Sequence, residues 1–298
     1  MPRVQLPPVE IEYESFGDAG APAVLLIAGL GTQMIRWAAP FCESFAARGF
    51  RVIRYDNRDA GLSTHFSEVP LPDLGAFLAA LGQAKRPEIP YNLSDMAKDA
   101  LGLLDALGIA KAHVVGRSMG GMIAQLIAAE YPERVLTLTS ISSTTGNPSL
   151  PQASSEAMAA MRAPTPNPNE DEAGFLAHAL RIARVNAGSR FPFDEEFIRA
   201  QARTEARRAF DPLAAVRQHM AIAADGDRRE RLRRIVAPTL VIHGEDDRLL
   251  PWRAGEGTAA SISGAVFKKI PGMGHEIPPG FYEECVELIA AHALARAN

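Results

Sequence analysis

The most constraining feature of this sequence is Gly116-Arg117-Ser118-Met119-Gly120, set between an apolar run and a helical pattern. His113-Val114-Val115-Gly116 reads as a short strand, and residues 122–130 read as a helix closed by Pro132. Glycines two before and two after a serine, at a strand-to-helix turn, let the backbone turn tightly enough to present the hydroxyl above a sheet. Chance alone places such glycines around roughly one serine in two hundred at average glycine usage. The required strand and helix make coincidence rarer still. The amide of Met119 opens the helix, where N–H groups are unpaired and the dipole favours negative charge.

The rest of the chain predicts a sheet that can carry such a turn. Residues 4–16 alternate weakly and read as a hairpin at a sheet edge. Val24-Leu25-Leu26-Ile27-Ala28 is a continuous apolar run, expected of a strand covered on both faces. A helix is expected over 37–48, a strand over 51–55, a short helix over 74–81 and a long one over 94–107. Strands follow at 135–140, 239–242 and 265–270, and a last helix at 281–295. The strand–helix alternation predicts an α/β fold with a mostly parallel eight-stranded sheet and helices on both faces. Residues 144–168 are rich in Thr, Ser, Asn and Pro, and 169–232 are helical with no strand signal. The expected domains are therefore a core at 1–145 and 233–298 and a helical cap at 146–232.

Composition removes several function classes. The 298 residues carry 31 Lys+Arg against 35 Asp+Glu, a net charge of −4, with 47% apolar residues. That balance gives no long-range attraction to nucleic acid or an anionic membrane, and no apolar run is long enough to span a bilayer. The expected partner is a small molecule. Met1-Pro2-Arg3 leads to Pro7-Pro8 rather than an apolar leader segment, so a cytoplasmic location is expected. Cys42 and Cys285 are too few for a disulfide framework and lack zinc spacing, and no cofactor or metal is expected. The sequence sets no oligomeric state.

A serine hydroxyl needs a base to take its proton. On a sheet of this kind the expected chain order is serine, acid, histidine. His275, in Pro271-Gly272-Met273-Gly274-His275, follows a strand on a glycine-rich loop and is the expected base. The acid should follow the strand at 239–242, where Glu245, Asp246 and Asp247 are adjacent. Proximity does not separate them. An oxyanion needs two N–H donors, expected from Met119 and from Leu30 in Ala28-Gly29-Leu30-Gly31. Gly29-x-Gly31 also suggests a dinucleotide loop, but the third glycine position holds Met34. His113 and His243 border strands and read as structural; His65, His178 and His219 line a pocket or face solvent. Within 146–232, Phe191, Phe193, Met158 and Met220 are candidates to wall an apolar substrate pocket.

Taken together, these motifs resemble the α/β-hydrolase superfamily. The likeness runs through Gly29-Leu30-Gly31, Tyr55-Asp56-Asn57-Arg58-Asp59-Ala60-Gly61-Leu62-Ser63, Gly116–Gly121, His243-Gly244-Glu245-Asp246-Asp247 and Gly272-Met273-Gly274-His275. It covers about 20–145 and 233–297 and is strongest to bacterial carboxylesterases of the aclacinomycin methylesterase type. The resemblance implies that the acid is Asp247, the third residue after the glycine, with Asp246 second. It implies a structural role for 56–63 and hydrolysis of carboxylic esters, of short to medium apolar acyl or methyl type, by Ser118, Asp247 and His275. Lipase, lactonase, C–C hydrolase and cofactor-free haloperoxidase activities share this machinery, and a ligand receptor on the same fold is the rival from another class. Two departures stand out. The loop begins Ala28-Gly29 where His-Gly is common, and the charged Arg117 precedes the serine.

Overall fold

The computed structural model describes residues 2–83, 85 and 87–295. Residues 1, 84, 86 and 296–298, which fall in the ranges expected for the core, lie outside the described residues. Eight strands form one sheet: β1 (Arg3–Leu6), β2 (Val9–Phe16), β3 (Ala23–Ile27), β4 (Arg51–Tyr55), β5 (Ala112–Arg117), β6 (Val135–Ile141), β7 (Thr239–Gly244) and β8 (Val266–Ile270). Their spatial order is β1-β2-β4-β3-β5-β6-β7-β8. The β1–β2 and β2–β4 pairs are antiparallel and the others are parallel.

Strand β3 shows why the sheet is sandwiched. All five of its residues are buried, and successive side chains enter opposite faces. Leu25 and Ile27 join the cluster formed with α3 (Leu93–Ala106) and α4 (Met119–Glu130). Val24 and Leu26 join the cluster formed with α1 (Ala39–Ala47) and α11 (Tyr282–Leu294). Helix α2 (Leu74–Gly82) lies in the irregular segment before α3, and α10 (Arg253–Ala260) packs on β7 and β8. No helix among the described residues is long and apolar enough to cross a membrane.

Between β6 and β7 the chain makes five helices: α5 (Ser155–Arg162), α6 (Glu172–Asn186), α7 (Glu195–Arg208), α8 (Ala214–Asp225) and α9 (Arg229–Leu232). Helix α5 falls in the stretch 144–168 that is rich in Thr, Ser, Asn and Pro. The Ser154 side chain accepts from the Ala157 N–H at 3.1 Å, and this cap starts a segment of good helix formers. Polar contacts join the helices to the sheet. Arg208 donates to Asp56 at 2.9 Å, Arg217 donates twice to Asp59 at 2.8 Å, and Arg36 holds Glu205 at 2.5 and 2.7 Å. The 56–63 turn is a hub of such bonds: Asp56 also accepts from Met34 N at 2.6 Å and Asp59 from Tyr91 Oη at 2.6 Å.

The sheet order reverses at β3, which has β4 on one side and β5 on the other. A crevice opens outside the carboxyl ends of the strands at such a point. The loops carrying Leu30, Ser118, Asp247 and His275 follow β3, β5, β7 and β8, so all four leave the sheet at that end.

Candidate active site

Ser118 lies at φ 55° and ψ −121°, a region that non-glycine residues avoid. Strain of this kind costs of order 1–3 kcal/mol and persists only where the surroundings fix it. Here Ser118 N donates to Ile141 O at 2.9 Å, and Ser143 Oγ donates to Ser118 O at 2.8 Å. The flanking glycines have a steric reason. A Cβ on Gly116 would stand 2.0 Å from Gly120 O, and one on Gly120 would stand 2.1 Å from Ile27 O. Helix and strands thus approach too closely for any other residue at either position.

Three side chains meet in one row. His275 Nε2 lies 3.1 Å from Ser118 Oγ, and His275 Nδ1 lies 2.8 Å from Asp247 Oδ2. Both His275 and Asp247 are buried, while Ser118 is half-buried. Asp247 also accepts from Leu249 N at 3.0 Å, Leu250 N at 2.8 Å and His243 Nε2 at 3.1 Å. Burial works against its charge, but the His275 imidazole and the hydrogen bonds outweigh it and hold the carboxyl below its usual range. The two neighbouring acids face elsewhere. Asp246 accepts from Ser189 N at 2.9 Å and Ser189 Oγ at 2.6 Å, and Glu245 pairs with Lys269 at 2.6 Å.

His243 has a contact that the sequence reading misses. Its Nε2 faces two acceptors, Asp247 Oδ2 and Leu250 O at 2.7 Å, so Nε2 carries the proton. The available signal was its position four residues before Asp247. Glu276 is a second such residue. It pairs with Arg117 at 2.5 Å, which answers the charge beside the serine with a carboxylate on the histidine loop. Burial opposes the Glu276 charge, yet Arg117 and then Arg36 pull its carboxyl down to about 2. The histidine loop is also tied to the end of α6, through His275 N to Asn186 O at 2.8 Å.

Among the described residues, no acceptor meets the N–H of Leu30 or of Met119. The Gly29 loop touches the serine turn, since a Cβ on Gly29 would lie 3.2 Å from Ser118 Cβ.

A cavity of about 550 Å³ opens beside this row. Its wall includes Gly31, one residue from Leu30, and Gly274 and Glu276, which flank His275; Ser118 is not in the wall. Phe191 and Phe193 line it with Phe175, Phe197 and Phe210. Met158 and Met220 do not, contrary to the sequence expectation. Helix α5 turns Ala157 and Ala160 inward rather than Met158, and Met220 is only 6% exposed yet stands outside the cavity wall.

One group of side chains has the donor types of a cation site. Asp59, His65 and Asp211 each bring a ligand atom within 4.8 Å of the others. Arg217 already bonds both carboxylates, so the group reads as an ion-pair network that fastens α8 to the 56–63 turn.

Comparison with known proteins agrees with this fold. The model of the alpha/beta hydrolase fold family matches residues 22–279. Rhodomycin D methylesterase DauP of Streptomyces sp. (strain C5) is 32% identical over 304 residues, covering 96% of both chains. Rhodomycin D methylesterase DnrP of Streptomyces peucetius is 30% identical over 303 residues, again covering 96% of both. The enol-lactonase from Burkholderia xenovorans LB400 superposes with a TM-score of 0.73 at 22% identity, covering 98% of this chain and all of that one, a likeness of fold.

Proposed function

The chain belongs to the α/β-hydrolase family, and we propose that it cleaves carboxylic esters through an acyl-enzyme on Ser118. The observation that carries this reading is the row from Asp247 through His275 to Ser118, with its hydroxyl on a strained turn beside an apolar cavity. In this mechanism Asp247 fixes the proton of His275 on Nδ1 and leaves Nε2 free to accept. His275 Nε2 takes the Ser118 proton as Oγ attacks the ester carbonyl. The carbonyl oxygen becomes an oxyanion between the N–H groups of Leu30 and Met119. One such donor is worth on the order of 3 kcal/mol to the transition state. The tetrahedral intermediate collapses, and His275 passes its proton to the leaving alcohol. Water then attacks the acyl-enzyme by the same route and releases the acid.

The 146–232 helices act as a cap whose Phe175, Phe193, Phe197 and Phe210 wall the cavity. A cavity of this size suits a drug-sized apolar group. The acyl part occupies it, and the leaving alcohol is small. The two relatives named as methylesterases support a methyl ester as the natural type.

The test is hydrolysis of p-nitrophenyl esters from acetate to palmitate beside methyl esters of bulky aromatic acids. Turnover of aromatic methyl esters and short-to-medium acyl chains is expected. A maximum at the longest chains moves the assignment to lipase. Stoichiometric acylation without turnover moves it to a ligand receptor.

A further inference from the structure

We propose that Thr32 and Gln218 are positioning residues that aim the Leu30 N–H at the reacting oxygen, an inference that rests on the serine-hydrolase reading above. One peptide unit sets the geometry. The Gly29 carbonyl and the Leu30 N–H belong to the same trans peptide and point in opposite directions. Whatever holds the carbonyl therefore sets the direction of the N–H. The Gly29 carbonyl accepts from Thr32 Oγ1 at 2.9 Å and from Thr32 N at 3.3 Å.

The peptide units on either side are tied as well. Asn57 Nδ2 donates to Ala28 O at 3.2 Å, and Gly31 N donates to Gln218 Oε1 at 2.8 Å. Gln218 is fully buried, and its Nε2 donates to Arg58 O at 2.8 Å. A backbone N–H only donates and a carbonyl only accepts, so these two partners fix which way the Gln218 amide faces. Ala28 O, Gly29 O and Gly31 N are all engaged, and among the described residues no acceptor meets the Leu30 N–H between them. A flip of the Gly29–Leu30 peptide would turn that N–H away and present a carbonyl oxygen to the oxyanion. Thr32 opposes the flip directly, and Gln218 opposes it by holding the next unit.

The consequence is structural coupling across the two parts of the chain. Gln218 sits on α8, next to the Arg217 that fastens this helix to Asp59. The oxyanion loop of the core is therefore completed by a residue of the insertion. The helices over the site act on the chemistry as well as on access to it.

The experiment compares Thr32→Val, Thr32→Ser and Gln218→Met with the unaltered enzyme. It measures steady-state hydrolysis, inhibition by a trifluoromethyl ketone bearing the same acyl group, and inhibition by the carboxylate product. The ketone forms a tetrahedral adduct with Ser118 and places an oxyanion in the hole; the product does not. Thr32→Val and Gln218→Met are expected to lower kcat by roughly tenfold or more with KM within about twofold. Ketone affinity should fall in parallel while product affinity holds, and Thr32→Ser should restore both kcat and ketone affinity. Thr32 is half-buried and valine nearly matches its shape, so this arm stands even if Gln218→Met folds poorly. Unchanged kcat and ketone affinity in Thr32→Val overturns the proposal. So does a loss of kcat at full ketone affinity, which would make the residues structural supports only. Absence of Ser118-dependent turnover in the unaltered enzyme overturns the serine-hydrolase reading itself, and the proposal with it.

Discussion

Replacing Asp247 by Asn separates the three adjacent acids and tests the role of the tautomer. In the enzyme Asp247 Oδ1 accepts from two backbone N–H groups and Oδ2 accepts from His275 Nδ1 and His243 Nε2. An asparagine keeps its oxygen toward Leu249 and Leu250, because only an oxygen accepts there. Its NH₂ then faces the two imidazoles. His275 must turn Nδ1 into an acceptor, which moves its proton to Nε2, 3.1 Å from Ser118 Oγ. The base is then blocked by its own proton. A change of this kind lowers kcat by about 10⁴, or about 5.5 kcal/mol in the barrier. Each lost charge-assisted bond also costs roughly 1.5–3 kcal/mol of stability, so the assay pairs initial rates with a denaturation curve. Asp246→Asn is the control. Among the described residues its half-buried carboxylate bonds only the exposed Ser189, and kcat should change by less than about threefold, in line with a rim contact. More than a tenth of wild-type kcat in Asp247→Asn, or a larger loss in Asp246→Asn, removes Asp247 as the acid that sets the His275 tautomer.

Further outcomes follow from burial and pairing. Glu276→Gln removes the counter-charge of the nearly buried Arg117 while keeping an acceptor for it, and should cost roughly 1.5–3 kcal/mol by urea denaturation, whereas Arg184→Gln, at the exposed pair with Glu195, should cost under about 1 kcal/mol. Phe193→Ala should shift the preferred acyl chain toward longer esters in a substrate series, because Phe193 lines the cavity. Met220→Ala should leave that preference in place and lower stability by roughly 2–5 kcal/mol. Burial, helped by His292, lowers the His113 imidazole to about 4. The unfolded chain protonates this group near pH 6.5, so between about pH 6.5 and 4 it binds more protons than the fold does. The stability it contributes is whole above pH 6.5 and is lost as pH falls through 4. His113→Gln should flatten the pH dependence of the urea midpoint by up to about 1.4 kcal/mol per pH unit over that window.

Much of the sheet was legible because each strand is a local event. The run at β3 is buried on both faces, so five consecutive apolar residues announce it. The serine turn was legible because two glycines answer contacts that lie close by in the chain or in the next strand. Side-chain partners distant in sequence were not. Arg117 finds Glu276 across 159 positions, and nothing local to Arg117 signals it. The adjacent acids could not be separated by spacing, because the turn after β7 sends Asp246 toward Ser189 and Asp247 toward His275. The walls of the cavity were hardest to read. Phenylalanines and methionines in 146–232 look alike as apolar residues, and the rotation of each helix decides which ones face the cavity.

The most direct measurement compares ester hydrolysis by the wild type and Ser118→Ala, with circular dichroism confirming that both are folded. Rapid turnover by the wild type, a rate near background in Ser118→Ala, and fluorophosphonate labelling on the Ser118 peptide alone are expected. Wild-type turnover by folded Ser118→Ala would remove Ser118 as the nucleophile.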